Sequence, residues 1–216
     1  SEIESKMYAA VSAIQFKLEG ELIKRNPDFS MNDQLLLDKI DYDKKTIQLG
    51  DKEYNLCHFD FPTIDKNDPY KLTHEEDLII KQLVKAFMNS EKLRKHIKFL
   101  YKKGAMYRLY NGNLLYHGCV LLNDDKSFSH SNICGVDTYG KSMYELLDSY
   151  ARKGFFAPIG SKDREKGGDI LWYLWCGPLS PLYGRSKMTT FERLFIEDKE
   201  THKEVKDAYY KYIEED

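Results

Sequence analysis

A histidine at position 117 is the first candidate for chemistry, because it lies in a stretch typical of a β-hairpin. Asn111-Gly112 separates two runs rich in Tyr, Leu and Val, and a type I′ turn needs positive φ at both central residues. We therefore predict an antiparallel hairpin over 105–122. Side chains alternate along a strand, so both faces of the second strand are apolar, and this pattern predicts a central, buried strand. His117 is then expected to be largely buried, with Gly118 leaving room for a ligand or a second backbone.

The residue pattern leaves the role of His117 open. A core histidine satisfied by a hydrogen bond is favoured over a metal ligand on general grounds. The other five histidines form no H-x-H or H-x3-H spacing. The sequence also contains no Ser/His/Asp order, glycine-rich nucleotide loop or paired-carboxylate motif above background.

Two cations are candidates for binding phosphate. Arg185 and Lys187 follow the segment 177–184, in which two prolines and two glycines predict a rigid loop. Phosphate recognition uses such cationic side chains next to fixed backbone. The charged segment 161–168 is instead predicted to be a solvated loop.

Composition excludes several classes of partner. The net charge of −2, with 31% charged residues, does not indicate binding to nucleic acid or to an anionic membrane. No apolar run approaches the roughly 20 residues of a membrane span. The four cysteines are scattered without a C-x-x-C pair, which indicates reduced thiols in a cytoplasmic protein.

Helices are predicted along much of the chain. An apolar stripe predicts a first helix that ends near Asn26, since the next residue is proline. Thr73 begins a capping box, and Ser90 can cap the helix after it. Residues 123–139 look irregular, and a helix over 141–153 should stop at the following glycine.

The chain's two tryptophans lie in one apolar block. Trp172 and Trp175 belong to seven consecutive residues for which we predict a short helix capped by Asp169. Both rings are expected to pack in the core beside the hairpin.

Several segments together resemble the class III (Firmicutes-type) fructose-1,6-bisphosphatases. They cover nearly the whole chain and include 110–119 (YNGNLLYHGC), 169–181 (DILWYLWCGPLSP), 187–193 (KMTTFER), 198–204 (DKETHKE), 14–20 (IQFKLEG) and 61–65 (FPTID). That family resembles the calcineurin-like metallophosphoesterases, in which two metals sit on loops at the ends of a β-sandwich. Of its metal-binding blocks, only the His-Gly block is matched, by His117-Gly118. The resemblance therefore implies that His117 is a metal ligand and manganese the cofactor.

The resemblance favours one overall hypothesis. The chain is expected to be an α+β piece, mostly helical with a β-hairpin or short sheet, from the central portion of a calcineurin-like metallophosphoesterase. We expect one partial domain over 1–216, helix-rich up to 104, with the hairpin, the Trp/Pro block and C-terminal helices after it. The start at Ser1 rather than Met is consistent with a trimmed piece.

The complete enzyme would use its two metals to hydrolyse the 1-phosphate of fructose 1,6-bisphosphate in gluconeogenesis. The chain alone is expected to be inactive. Its expected partners are the sugar bisphosphate and the remainder of its own polypeptide, and a homo-oligomer is left open. One alternative is a non-catalytic helical module for assembly or regulation, with His117 hydrogen-bonded in the core. Another is a nucleotide-binding regulator built on Trp172 and Trp175.

Overall fold

The computed structural model of the chain describes residues 2–58 and 61–214. It combines helices with small antiparallel sheets, which confirms the predicted α+β class. The chain divides into two compact units. Unit 1 comprises Ser1–Arg94 and Thr189–Lys203, and unit 2 comprises Lys95–Met188 and Glu204–Asp216. The expectation of a single partial domain stays a prediction. Within the described residues, no helix is both long and apolar enough to cross a membrane.

The elements follow in chain order. Helices α1 to α7 span Glu2–Arg25, His74–Asn89, Glu91–Lys103, Gly140–Phe156, Lys162–Cys176, Thr190–Phe195 and Ala208–Tyr212. Strands β1 to β7 span Ile40–Asp41, Thr46–Leu49, Lys52–Asn55, Tyr107–Tyr110, Asn113–Tyr116, Ser131–Ile133 and Val136–Thr138. The strands form one three-stranded sheet (β1-β2-β3) and two hairpins (β4-β5 and β6-β7).

Unit 1 is built around an aromatic cluster. Phe16 of α1 meets Phe191 and Phe195 of α6 edge to face, with ring centroids 5.3 and 6.2 Å apart. Ile47 of β2 is fully buried in the same core. Helix α1 ends at Arg25, next to the predicted boundary. The cluster thus joins α1, α6 and the three-stranded sheet through apolar contacts.

A buried ion pair fixes the start of α2 within unit 1. Lys17 is fully buried, and its Nζ lies 2.7 Å from both Glu76 Oε2 and the Thr63 carbonyl oxygen. Glu76 also closes the predicted capping box, because it accepts the Thr73 N–H while its own N–H donates to the Thr73 hydroxyl. Burial raises the pKa of Glu76, but hydrogen bonds from Lys17, Thr63 and Thr73 outweigh burial, and the pKa lies below its ordinary 4.5.

Helices α4 and α5 pack closely in unit 2, and two predictions about them are wrong. Helix α4 continues past Gly154 to Phe156. Helix α5 begins at Lys162, where a loop was predicted, and Ser161 caps it by accepting the Arg164 N–H at 3.2 Å. A close contact between the two helices explains both differences, because a Cβ on Gly167 would lie 2.2 Å from the Gly154 nitrogen. Glycine is used at both positions so that the two backbones can approach, and neither glycine stops its helix.

The predicted burial of both tryptophans is also wrong. Trp172 is half-buried, and Trp175 is 55% exposed. Asp169, predicted to cap a short helix, lies buried inside α5. The longer helix explains these outcomes, because its helical period turns Ile170, Tyr173 and Leu174 inward and Trp175 away from them.

Candidate functional site

The predicted hairpin is confirmed, although its strands are shorter than 105–122. Strands β4 and β5 pair in antiparallel register, with Tyr107 opposite Tyr116 and Tyr110 opposite Asn113. At the turn, Asn111 has φ of 50° and Gly112 has φ of 77°. Positive φ at both central residues is the requirement of a type I′ turn.

His117 follows the last residue of β5, and its side chain is exposed. The predictions of a central, buried strand and of a largely buried His117 are therefore wrong. In the described part of the chain, the two strands form a separate two-stranded sheet, and Leu115 beside His117 is 54% exposed. Both faces of the hairpin are apolar, as the sequence indicates, but no segment in the described part of the chain covers both of them. The alternative that places His117 hydrogen-bonded in a core loses its structural basis.

The backbone next to His117 is held tightly. Gly118 has φ of +87°, and a Cβ at this position would lie 2.1 Å from the Pro181 carbonyl oxygen. The Cys119 N–H donates to the same oxygen at 2.8 Å. Only glycine combines this backbone conformation with so close an approach. The imidazole is therefore exposed on a peptide whose position is fixed by the loop 177–184.

Hydrogen bonds of a buried serine hold that loop, and its predicted rigidity stays a prediction. The fully buried Ser180 donates its hydroxyl to the Leu174 carbonyl at 2.6 Å, and its Oγ accepts the Leu182 N–H at 3.2 Å. The first bond attaches the loop to the end of α5, and the second lies within the loop. Sequence reasoning allowed for a second backbone beside Gly118 but did not identify the loop 177–184 as that backbone. The signal available was a glycine directly after the histidine.

Cys119 is a structural thiol in this region. It is completely buried, and its carbonyl accepts the Tyr144 hydroxyl at 2.8 Å. Burial, with a smaller effect of the Asp207 carboxylate, raises the pKa of Cys119 to about 12. Asp207 also accepts the Leu122 N–H at 3.1 Å. A buried thiol held neutral in this way is a poor nucleophile at neutral pH.

The described residues do not make a metal centre on their own. Across 2–58 and 61–214, no three His, Cys, Asp or Glu side chains are grouped so that they could hold a metal ion. His117 can therefore contribute one ligand, whereas a two-metal site needs several, mainly carboxylates. The described residues alone therefore do not fit the implied metal pair.

The two candidate phosphate residues follow the same loop. Arg185 Nη1 lies 2.5 Å from Glu204 Oε2, so a carboxylate already faces this exposed guanidinium. Lys187 is half-buried, and its carbonyl accepts the Tyr183 hydroxyl at 2.9 Å. The loop 177–184 thus contacts the backbone beside His117 and leads directly into Arg185. The role of Arg185 and Lys187 in phosphate binding stays a prediction.

The segment predicted to be irregular, 123–139, contains the hairpin β6–β7. Its turn uses Cys134 and Gly135, which have φ of 53° and 81°. His130 Nδ1 lies 3.0 Å from Asp137 Oδ2, and the imidazole stacks on Tyr139 with ring centroids 4.3 Å apart. Sequence reasoning missed this exposed cluster, because its turn lacks the usual glycine or asparagine at the first position.

Comparison with known proteins gives a consistent result. Residues 1–216 match the family described as Firmicute fructose-1,6-bisphosphatase. The fructose-1,6-bisphosphatase class 3 of Clostridium novyi (strain NT) is 55% identical over 208 residues, and those of Clostridium tetani and Clostridium botulinum (strain 657) are 52% identical. Each match covers 96% of this chain but only 31% of the relative, so the chain spans about a third of their length. No solved structure matches significantly. The resemblance found in the sequence is confirmed: the chain belongs to the Firmicute fructose-1,6-bisphosphatase family.

Proposed function

We propose that this chain is one part of a longer fructose-1,6-bisphosphatase that removes the 1-phosphate of fructose 1,6-bisphosphate in gluconeogenesis. The observation that carries the proposal is 55% identity over 96% of the chain to a relative named for this activity. A cytoplasmic location is proposed with it. Its support is that the four cysteines form no disulfide in the described residues.

The longer protein is further proposed to have a calcineurin-like metallophosphoesterase fold and to use manganese. The support is the His117-Gly118 pair, which matches one metal-binding block of such enzymes. An exposed imidazole on a fixed peptide suits a ligand to a metal held mainly by another segment, because ligand positions must be accurate to a few tenths of an ångström. The remaining ligands would come from the part of the protein outside this chain. On this proposal, the chain alone is inactive.

Arg185 and Lys187 are proposed to contact a substrate phosphate in the longer protein. Glu204 now neutralises Arg185, so a phosphate would have to replace this carboxylate as the partner. Such an exchange retains a charge-assisted contact to the guanidinium. An Arg185→Ala variant of the longer protein should accordingly raise KM more than it lowers kcat.

The decisive experiment measures phosphate release from fructose 1,6-bisphosphate by the longer protein with manganese. A His117→Ala variant should lose most turnover, with an unchanged circular dichroism spectrum and, after manganese is removed, an unchanged melting temperature, because the side chain is exposed within this chain. His96→Ala, at another exposed histidine of unit 2, is the matched control and should stay active. Full activity of His117→Ala would refute the ligand role. Absence of phosphate release from the unchanged longer protein would instead favour the non-catalytic assembly or regulatory alternative.

A further inference from the structure

One face of the β4–β5 hairpin is apolar and extends beyond the helix that supports it. Tyr107, Leu109, Leu114 and Tyr116 share this face, called here the hairpin face, because 107 pairs with 116 and 109 with 114. The two tyrosines meet Tyr144 of α4 edge to face, each at 6.2 Å between ring centroids. The two leucines, nearer the turn, are 67% and 51% exposed. Half of the face is thus packed, and half is not.

A groove of about 300 Å³ lies against the hairpin face. Val120, Phe128 and Gly140 complete its apolar wall, and Phe128 is itself 50% exposed. Its one charged lining residue, Lys141, has its Nζ 3.5 Å from a Glu145 carboxylate oxygen. A sugar bisphosphate needs several cationic or hydrogen-bonding groups, so this groove is unsuited to the substrate. Its chemistry fits large apolar side chains.

The hairpin also has open edges. Within the described ranges, β4 and β5 pair with each other and with no other strand. A lone two-stranded sheet is marginally stable in water, and its outer backbone groups are available to a further strand. The exposed leucines and the open edges lie on the same small element, so one neighbouring segment could satisfy both.

We propose that the hairpin face and its groove bind an apolar segment of the remainder of the polypeptide, meaning the part of the longer protein that lies outside this chain. About two thirds of each relative's length lies outside the match, so such a segment is available. β5 leads directly into His117, so a segment that brings further metal ligands to His117 must approach beside this hairpin. This last step rests on the proposed function, whereas the exposed face and the groove do not.

The test compares the 216-residue chain with the longer protein. Hydrogen exchange of the amides in 107–116 should be at least roughly tenfold slower in the longer protein, because burial and pairing suppress local opening. Leu114→Asp should lower the melting temperature of the longer protein and leave that of the 216-residue chain unchanged. The matched control is Leu115→Asp on the opposite face, a residue of similar exposure (54%), which should be tolerated in both. Leu114→Ala is the milder variant if the aspartate prevents folding.

Each contrary outcome overturns the proposal. Equal exchange rates in the two proteins would show that the remainder does not cover the hairpin. Slow exchange in the 216-residue chain that depends on concentration, with a dimer in sedimentation that Leu114→Asp abolishes, would identify a second copy as the occupant. If Leu114→Asp and Leu115→Asp lower the melting temperature of the longer protein equally, the remainder does not bind the hairpin face in preference to the opposite face. Because none of these readouts is activity, a failed phosphatase assay would refute the proposed function and leave this result standing.

Discussion

Replacing Gly118 by alanine should destabilise unit 2 by about 3–6 kcal/mol. A left-handed backbone costs an L-residue roughly 1–2 kcal/mol. The new methyl would lie 2.1 Å from the Pro181 carbonyl oxygen and 2.9 Å from the Leu182 Cα, so backbone must move. Such overpacking adds roughly 1–3 kcal/mol. The movement also breaks the hydrogen bond from Cys119 N–H to Pro181, worth about 1 kcal/mol.

Gly112 is the matched control for this substitution. It also has a positive φ, of +77°, but nothing lies within 4 Å of the position of its Cβ. Gly112→Ala should therefore destabilise unit 2 only by the roughly 1–2 kcal/mol that a left-handed backbone costs an L-residue. Urea unfolding followed by tryptophan fluorescence reports on unit 2, because Trp172 and Trp175 both lie in it. If the two variants agree within about 1 kcal/mol, the close contact between Gly118 and Pro181 does not support the peptide beside His117.

Four further substitutions probe other parts of the fold. In α5, Gly167→Ala should destabilise unit 2 by roughly 1–3 kcal/mol, because Gly167 faces α4. Gly168→Ala should stabilise it by roughly 0.5–1 kcal/mol, because open space surrounds Gly168. Similar unfolding midpoints of the two variants in urea would contradict the close contact between the helices. The pKa of Glu76 lies below 4.5, so its pair with Lys17 stabilises the fold above that pH and is lost as the pH falls through the lowered pKa. Glu76→Gln should consequently lower the melting temperature at pH 7, and its difference from the wild type should shrink as the pH falls below 4.5; a difference that does not change with pH would rule this out. Trp175→Ala should lower the free energy of unfolding, followed by circular dichroism, by about 1 kcal/mol or less, since the ring is 55% exposed. A loss above about 3 kcal/mol would show that the ring is buried.

Local signals in the sequence predicted several elements correctly. The capping box at Thr73 and Glu76 forms as expected, because both partners lie within one helical turn. The Asn111-Gly112 turn and the end of α1 before Pro27 depend likewise on backbone preferences of one or two residues. Interactions of this range are encoded in a few neighbouring residues, so a single sequence is enough to predict them.

Tertiary contacts account for the wrong helix boundaries. Gly154 alone is a reasonable helix stop, and Gly167 with its neighbouring glycine is a reasonable loop signal. Each instead lies inside a helix because the other faces it across a close contact. A pairing between residues that are 13 positions apart on different helices has no local signature, so single-sequence reasoning could not find it.

Burial was the hardest property to predict. An apolar pattern shows which faces can be buried, but the covering segment decides whether they are. Leu83 and Phe87 of α2 illustrate this, as they are 49% and 64% exposed despite a regular apolar stripe. His117 was expected in a core for the same reason. The chain spans about a third of the length of its relatives, and in those relatives residues outside the match are available to cover such faces.

Phosphate release from fructose 1,6-bisphosphate by the isolated 216-residue chain, with excess manganese, tests most directly whether this member of the family is only part of a catalytic unit. One imidazole at His117 cannot hold two divalent ions or supply the carboxylates that such a site needs. We expect no release above the buffer control. Release that a chelator abolishes, and that a His117→Ala variant of the same chain lacks, would contradict this and show that the chain holds a complete site.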